Sequence, residues 1–141
     1  MKVICKKVDP SNPEVEETLI ELQRACLPHD ASHCPGEGVW WIAYHRRTPV
    51  AFACLVPSQQ VPDGVYLSRS GVTPLARGGG IHRRLIRVRL TWAKRQGYNW
   101  AVSDTTDNEP SANNLIACGF RLYSPPLLYS LARALYWKKK L

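Results

Sequence analysis

The sequence predicts an α+β fold built on a mixed sheet of about seven strands, mostly antiparallel with one parallel pair after a glycine loop, with helices on both faces. The first observation behind this is the succession of an apolar run at 65–72, a glycine-rich stretch at 73–80 and a basic amphipathic run at 81–96. Strand, crossover helix and return strand in that order close right-handed, so the strands at 65–72 and 101–103 lie parallel. The second is a hairpin pattern at 39–56, two apolar runs joined by Arg46-Arg47-Thr48. The third is size: 141 residues, 45% of them hydrophobic, close one core and hardly two, so 1–141 reads as a single domain.

Each element has a local reason. Residues 3–8 read as an edge strand, and Asp9-Pro10-Ser11-Asn12-Pro13 as a turn capping a helix over 14–27 whose apolar face is Leu19, Leu22 and Cys26. A loop at 28–38 leads to strands at 39–45 and 49–56, then the Val61-Pro62-Asp63-Gly64 turn precedes the strand at 65–72. The helix over 81–96 buries Ile81, Leu85, Val88 and Trp92, keeps Arg83, Arg84, Arg87, Lys94 and Arg95 mostly outside that stripe, and ends at Gly97. A short buried strand at 101–103 and a capping loop at 105–110 open a helix that reaches Cys118 and stops at Gly119. Strands at 120–123 and 135–139 close the chain, with a helical turn expected within 127–134.

Composition excludes several classes. No run approaches the roughly 18 apolar residues of a membrane span, and the start lacks the long apolar segment of a signal peptide. The five cysteines are odd in number and lack paired spacing, which suits a reducing, cytoplasmic setting. Cys26, His29, His33 and Cys34 cluster in sequence, but their spacing matches no common zinc finger, so no metal is expected. A net charge of +8 raises the alternative of a nucleic-acid-binding module, in which Arg83 to Arg95 and the Trp137-Lys138-Lys139-Lys140 tail contact phosphates.

The glycine loop carries the most chemistry. Gly78-Gly79-Gly80 leaves no side chain between backbone N–H groups and a ligand, and it opens a helix whose N-terminus favours an anion. Arg77 adds a fixed charge. The pattern is neither a Gly-Lys-Ser/Thr phosphate loop nor a dinucleotide fingerprint.

Val72-x-Pro74-x-x-Arg77-Gly78-x-Gly80-Ile81, followed by Asn108-x-x-Ser111 and Cys118-Gly119-Phe120, resembles the GNAT superfamily of acyl-CoA-dependent N-acetyltransferases. One departure is that Leu75 occupies the first position of the family's Gln/Arg-x-x-Gly-x-Gly/Ala signature, the nearby charge coming from Arg77. The resemblance implies acetyl-CoA as co-substrate, with an amine acceptor that is a small molecule or a protein amine. It also implies that Gly71 and Val72 meet the pantetheine arm and thioester, and that Arg77, Gly78, Gly79, Gly80, Ile81 and His82 wrap the pyrophosphate. Arg83 or Arg84 would reach the 3′-phosphate. Asn108 would contact the pantetheine arm or simply cap a helix, and Ser111 shares that ambiguity. A homodimer through the last strands fits the family habit.

Acyl transfer to an amine needs a neutral nucleophile beside the thioester, a donor for the oxyanion and a proton for the leaving thiolate. The backbone N–H of Gly71 or Val72 is the expected oxyanion donor. Where many family members carry a tyrosine ahead of the Gly-Phe pair, this chain has Leu115, so Ser111 and Tyr123 are the catalytic candidates for proton donation. Asp63, Tyr66 and Glu37 are weighed as bases beside ordered water, and strand alternation sets Arg69 opposite Ser68 and Ser70. Trp40, Trp41, Tyr44 and Tyr66 line an acceptor wall or belong to the core. The missing tyrosine also keeps a catalytically silent acyl-CoA-binding protein in view.

Overall fold

The computed structural model describes residues 1–32 and 38–141. Glu37, His33 and Cys34, considered above as base and metal ligands, lie outside the described residues. The elements are β1 (Ile4–Val8), α1 (Pro13–Cys26), β2 (Val39–His45), β3 (Thr48–Pro57), β4 (Gly64–Val72), α2 (Ile81–Arg95), β5 (Trp100–Thr105), α3 (Glu109–Ala117), β6 (Arg121–Leu122) and β7 (Leu135–Lys140). They form one mixed sheet in the order β1-β2-β3-β4-β5-β7-β6, in which only β4 and β5 run parallel among the described strands.

Local chemistry sets the boundaries. Asn12 caps α1, its side chain accepting from the Glu14 N–H at 2.9 Å, and Asn108 caps α3, accepting from Ser111 at 3.1 Å. Gly97 and Gly119, both at φ +92°, end α2 and α3. Arg46 and Arg47 both take positive φ, 50° and 74°, in the β2–β3 hairpin turn. Such left-handed pairs match the twist of the flanking strands.

The two sheet faces alternate along each strand. Trp40, Ile42, Phe52 and Cys54 pack with Leu19 and Leu22 of α1. Trp41, Ala43, Ala51, Ala53 and Leu55 pack with Ile81, Leu85, Ile86 and Leu90 of α2. Trp40 and Trp41 are therefore core, and only Tyr66 of the expected aromatic wall lines a cleft beside the site described below.

Three expectations are corrected. The buried face of α2 is Ile81, Leu85, Ile86, Arg89, Leu90 and Ala93, an arc centred near Arg89 at 100° per residue, which leaves Val88 and Trp92 half-buried on its flank. The stretch 127–134 contains no helix, only a turn closed by Ala134 N–H on Leu131 O at 2.9 Å. Its leucines Leu127, Leu128 and Leu131 are exposed, so no apolar face is buried to hold a helix there. The strand expected at 120–123 is only Arg121–Leu122, Phe120 turning into the core.

Candidate active site

β4 and β5 pair only over Gly64–Tyr66 and Trp100–Val102, although β4 runs on to Val72 and β5 to Thr105. Past that point the strands part, and a split in a sheet at its strand ends is where ligands enter mixed α/β folds. A bulge in β4 shapes the opening. Ala53 opposes Ser70 while Leu55 opposes Leu67, so Ser68 and Arg69 together face Cys54. The extra residue breaks the alternation expected for this strand. Arg69 turns toward α1, donating to Gln23 Oε1 at 3.1 Å, yet lines one cleft with Ser68 and Ser70.

Two clefts meet at this opening. The larger, about 920 Å³, is lined by Gly71, Val72, Arg77, Gly78, Gly80, Ile81, His82, Arg83, Asn108 and Ser111, with Cys26 and Leu27 at the end of α1. The smaller, about 380 Å³, is lined by Asp30, Tyr66, Ser68, Arg69, Ser103 and Asp104. Leu27, Ser70, His82 and Ser111 line both.

The loop leaves its backbone open. Gly78 and Gly80 take φ +84° and +78°, and a Cβ added at either would meet nothing within 4 Å. Gly79 closes a tight turn on the preceding segment, while among the described residues the backbone N–H groups of Gly78 and of Gly80 through Arg83 meet no acceptor; the next N–H, that of Arg84, goes to Gly80 O at 3.2 Å. Unpaired N–H groups at a helix start, with the helix dipole behind them, attract phosphate.

Flanking side chains stiffen the loop. Arg77 Nε donates to Val72 O at 3.1 Å, tying the loop to the end of β4, and Arg83 donates to Asn114 of α3 at 2.8 Å. Arg84 points elsewhere, donating to Val3 O at 2.7 Å, so of the two phosphate candidates only Arg83 borders the cleft. Gly71 has a packing reason: a Cβ there would lie 2.5 Å from Cys26 Cβ and 3.0 Å from Phe52. Burial pushes the Cys26 thiol up, with Arg77 pulling it partly back. The thiol therefore stays protonated.

The Thr73 N–H donates to Val50 O at 2.9 Å. Alternate residues of an antiparallel strand aim their N–H groups to the same side, so that of Val72 points away from β3, into the gap β5 vacates. Gly71 and Val72, alternatives in the sequence, are thereby separated.

On the smaller cleft, Tyr66 donates its hydroxyl to Asp104 Oδ1, and Ser130 Oγ donates to Asp104 Oδ2 at 2.8 Å. Burial first, then the Asp104 carboxylate, pushes the Tyr66 hydroxyl far above its usual range. Tyr66 is thus a poor base. Tyr123 lines neither cleft; it borders a separate apolar hollow with Pro125, Leu128 and Tyr136. Its placement on β6's side of β7, with β5 and β7 between it and β4, separates it from the end of β4 where a proton donor is expected. Asp63 sits at φ +57° in its turn, its carbonyl accepting from Asn99 at 2.8 Å, and lines neither cleft.

Two residues escaped the sequence reading. Arg89 sits at the spacing of the apolar stripe it shares with Leu85 and Ile86, which was the available signal. It is fully buried, donating to Leu85 O and Cys54 O at 3.1 Å each, and burial pushes it down to about 10. Asp104 follows an apolar run in a strand longer than expected, and no local pattern marks it.

The acetyltransferase (GNAT) family model matches residues 7–120. The chain belongs to this family. It is 30% identical over 94 residues to N-acetyltransferase 8F1 of Rattus norvegicus, an alignment covering 64% of this chain and 42% of that protein. The chain thus matches about two fifths of that relative's length. In fold, this GNAT domain superposes on the Bacillus subtilis acetyltransferase in complex with CoA with a TM-score of 0.77, 16% identity and 99% of both chains covered. Aminoglycoside 6′-acetyltransferase type Ii gives a TM-score of 0.79 at 18% identity over 97% of this chain and 96% of that one.

Proposed function

We propose that this GNAT chain transfers an acetyl group from acetyl-CoA to an amine by direct attack in a ternary complex, without a covalent enzyme intermediate. The observation that carries the reading is the run of unpartnered N–H groups from Gly80 to Arg83 at the start of α2, open to a cleft that joins a second cleft at the β4–β5 split. The pyrophosphate takes those N–H groups, with Arg83 supplying charge at the rim and Arg77 holding the loop. Asn108 keeps its capping bond and turns its amide toward the pantetheine arm.

That arm follows the end of β4, which brings the thioester to the junction. The amine enters from the cleft of Ser68, Arg69 and Asp104, whose polar lining suits a polar acceptor. Attack at the acyl carbon places negative charge on its oxygen, where the Val72 N–H is the backbone donor. Ser111, common to both clefts, stands nearest to the leaving thiolate among the hydroxyls proposed from sequence. Proximity and orientation supply much of the acceleration.

The nucleic-acid alternative gains no support, since Arg84 and Arg89 are engaged within the fold. Calorimetric titration with CoA, followed by thiol release from acetyl-CoA across a panel of amines, tests the proposal. Tight CoA binding that Gly80→Glu abolishes is expected; folded protein that binds no CoA overturns it.

A further inference from the structure

We propose that the imidazole of His82 is a neutral hydrogen-bond donor to the acyl oxygen, presenting its Nε2–H where the two clefts meet. The inference rests on the acetyl-CoA reading above and assigns the side chain to the thioester rather than to the pyrophosphate.

His82 is the second residue of α2 and lines both clefts. Among the described residues the ring makes no hydrogen bond, and its Nδ1 is buried without a partner. Arg89 lies seven residues on, two turns along the same face, with its guanidinium buried. Burial of the ring, and then this charge, push the imidazole down to about 4. Asp30, Tyr66, Arg69 and Asp104 share the smaller cleft with it. Both Asp104 oxygens are already engaged by Tyr66 and Ser130.

Two consequences follow from a neutral ring. It carries one N–H, and an N–H on the buried, unpartnered Nδ1 would be an orphaned donor, which folded proteins rarely tolerate, so the proton sits on Nε2. A group of such low basicity is ill-suited to take a proton from an amine at neutral pH. It is well suited to polarise a carbonyl without giving its proton away, a role neutral imidazoles at helix N-termini perform elsewhere. As the C–N bond forms and charge develops on the acyl oxygen, His82 Nε2–H and Val72 N–H both stabilise it; no proton leaves the ring.

The test needs no acceptor. Acetyl-CoA carrying ¹³C at the thioester carbonyl is bound to wild type, His82→Gln and His82→Phe, with occupancy checked by calorimetry, and the carbonyl stretch is read by isotope-edited infrared spectroscopy. A lower frequency than in solution is expected for wild type and for His82→Gln, whose amide can donate, with loss of that shift in His82→Phe. Thiol release with a responsive amine should fall on the order of 10²-fold in His82→Phe with KM for acetyl-CoA little changed. Equal carbonyl frequencies in bound wild type and His82→Phe overturn the inference. So does a limb near pH 6–7 in wild-type kcat that His82→Gln removes, which would make the ring a base. Folded wild type that binds no acetyl-CoA instead overturns the acetyltransferase reading itself.

Discussion

Arg89 reaches from α2 through the core to Cys54, donating from its guanidinium to the Cys54 carbonyl at 3.1 Å, at the residue of β3 that faces two residues of the β4 bulge. A cation here is costly: the depression of its pKa to about 10 corresponds to about 3 kcal/mol. Its two bonds to carbonyls, at about 1.5–3 kcal/mol each, offset that cost. Arg89→Met should therefore leave the urea unfolding free energy within about 1–2 kcal/mol of wild type, whereas Arg89→Ala adds a cavity and costs distinctly more. The same substitution removes a charge beside His82, so the imidazole titration followed by NMR should move up from about 4 toward its usual value. An unchanged His82 titration in folded Arg89→Met would refute the coupling.

The loop glycines predict a separation of stability from affinity. Gly80 sits at φ +78° with open space where a Cβ would stand, so Gly80→Ala meets backbone strain of about 1–2 kcal/mol without a clash. Gly80→Glu adds a negative charge facing the phosphates, and CoA affinity by calorimetry should fall at least about tenfold beyond that of Gly80→Ala. Gly79 has negative φ and its nearest neighbour is Ala76 O at 3.8 Å, so Gly79→Ala should unfold near wild type.

Gly71→Ala tests the packing of α1 on β4. Its Cβ would fall 2.5 Å from Cys26 Cβ, too close for any contact, so the helix end or the strand must shift at about 1–3 kcal/mol. In a double-mutant cycle, Cys26→Gly should recover part of the loss, a coupling absent if the two positions were independent. Urea unfolding of the four proteins reads it.

His82 also predicts a pH dependence. Its folded pKa is depressed below the ordinary value, so the unfolded chain binds the proton more tightly. Stability associated with the neutral ring is present above about pH 6.5 and is lost as pH falls toward 4. Wild type should lose roughly 2 kcal/mol more than His82→Gln across that interval, measured as the difference in urea unfolding free energies. Parallel curves for the two proteins would contradict the buried, neutral state.

Freeing Asp104 should loosen the C-terminal segment. Asp104→Ala removes the acceptor of both Tyr66 and Ser130. One tyrosine should then ionise closer to pH 10 in ultraviolet titration, since the carboxylate no longer holds the Tyr66 hydroxyl up. Proteolysis near 124–134 should quicken with it.

Much of the fold was legible because it is local. Asn12 and Asn108 announce their helices through short polar side chains that satisfy orphan N–H groups, and Gly97 and Gly119 end theirs through positive φ. The strand, loop and helix at 65–96 followed from periodicity, and the parallel partner of β4 from the right-handed crossover they form. The bulge at Ser68–Arg69 was not legible, because it exists only where β4 meets β3, and its effect was to undo the alternation assigned to Arg69. Tyr123 was misplaced for a similar reason: nearness in sequence to the Gly-Phe pair says nothing about which side of β7 it occupies.

By itself the sequence determined the family-like motif order, the side-chain-free glycine loop and the succession of strands and helices, since each is read from residues adjacent in the chain or one helical turn apart. Tertiary structure decided what those parts do together. It aimed the Val72 N–H away from β3, diverted Arg84 to Val3, buried Arg89 beside His82, and joined Asp104 to Tyr66 and Ser130. The physical reason is that charge state and hydrogen-bond direction depend on desolvation and on partners tens of residues away, neither of which periodicity or spacing encodes.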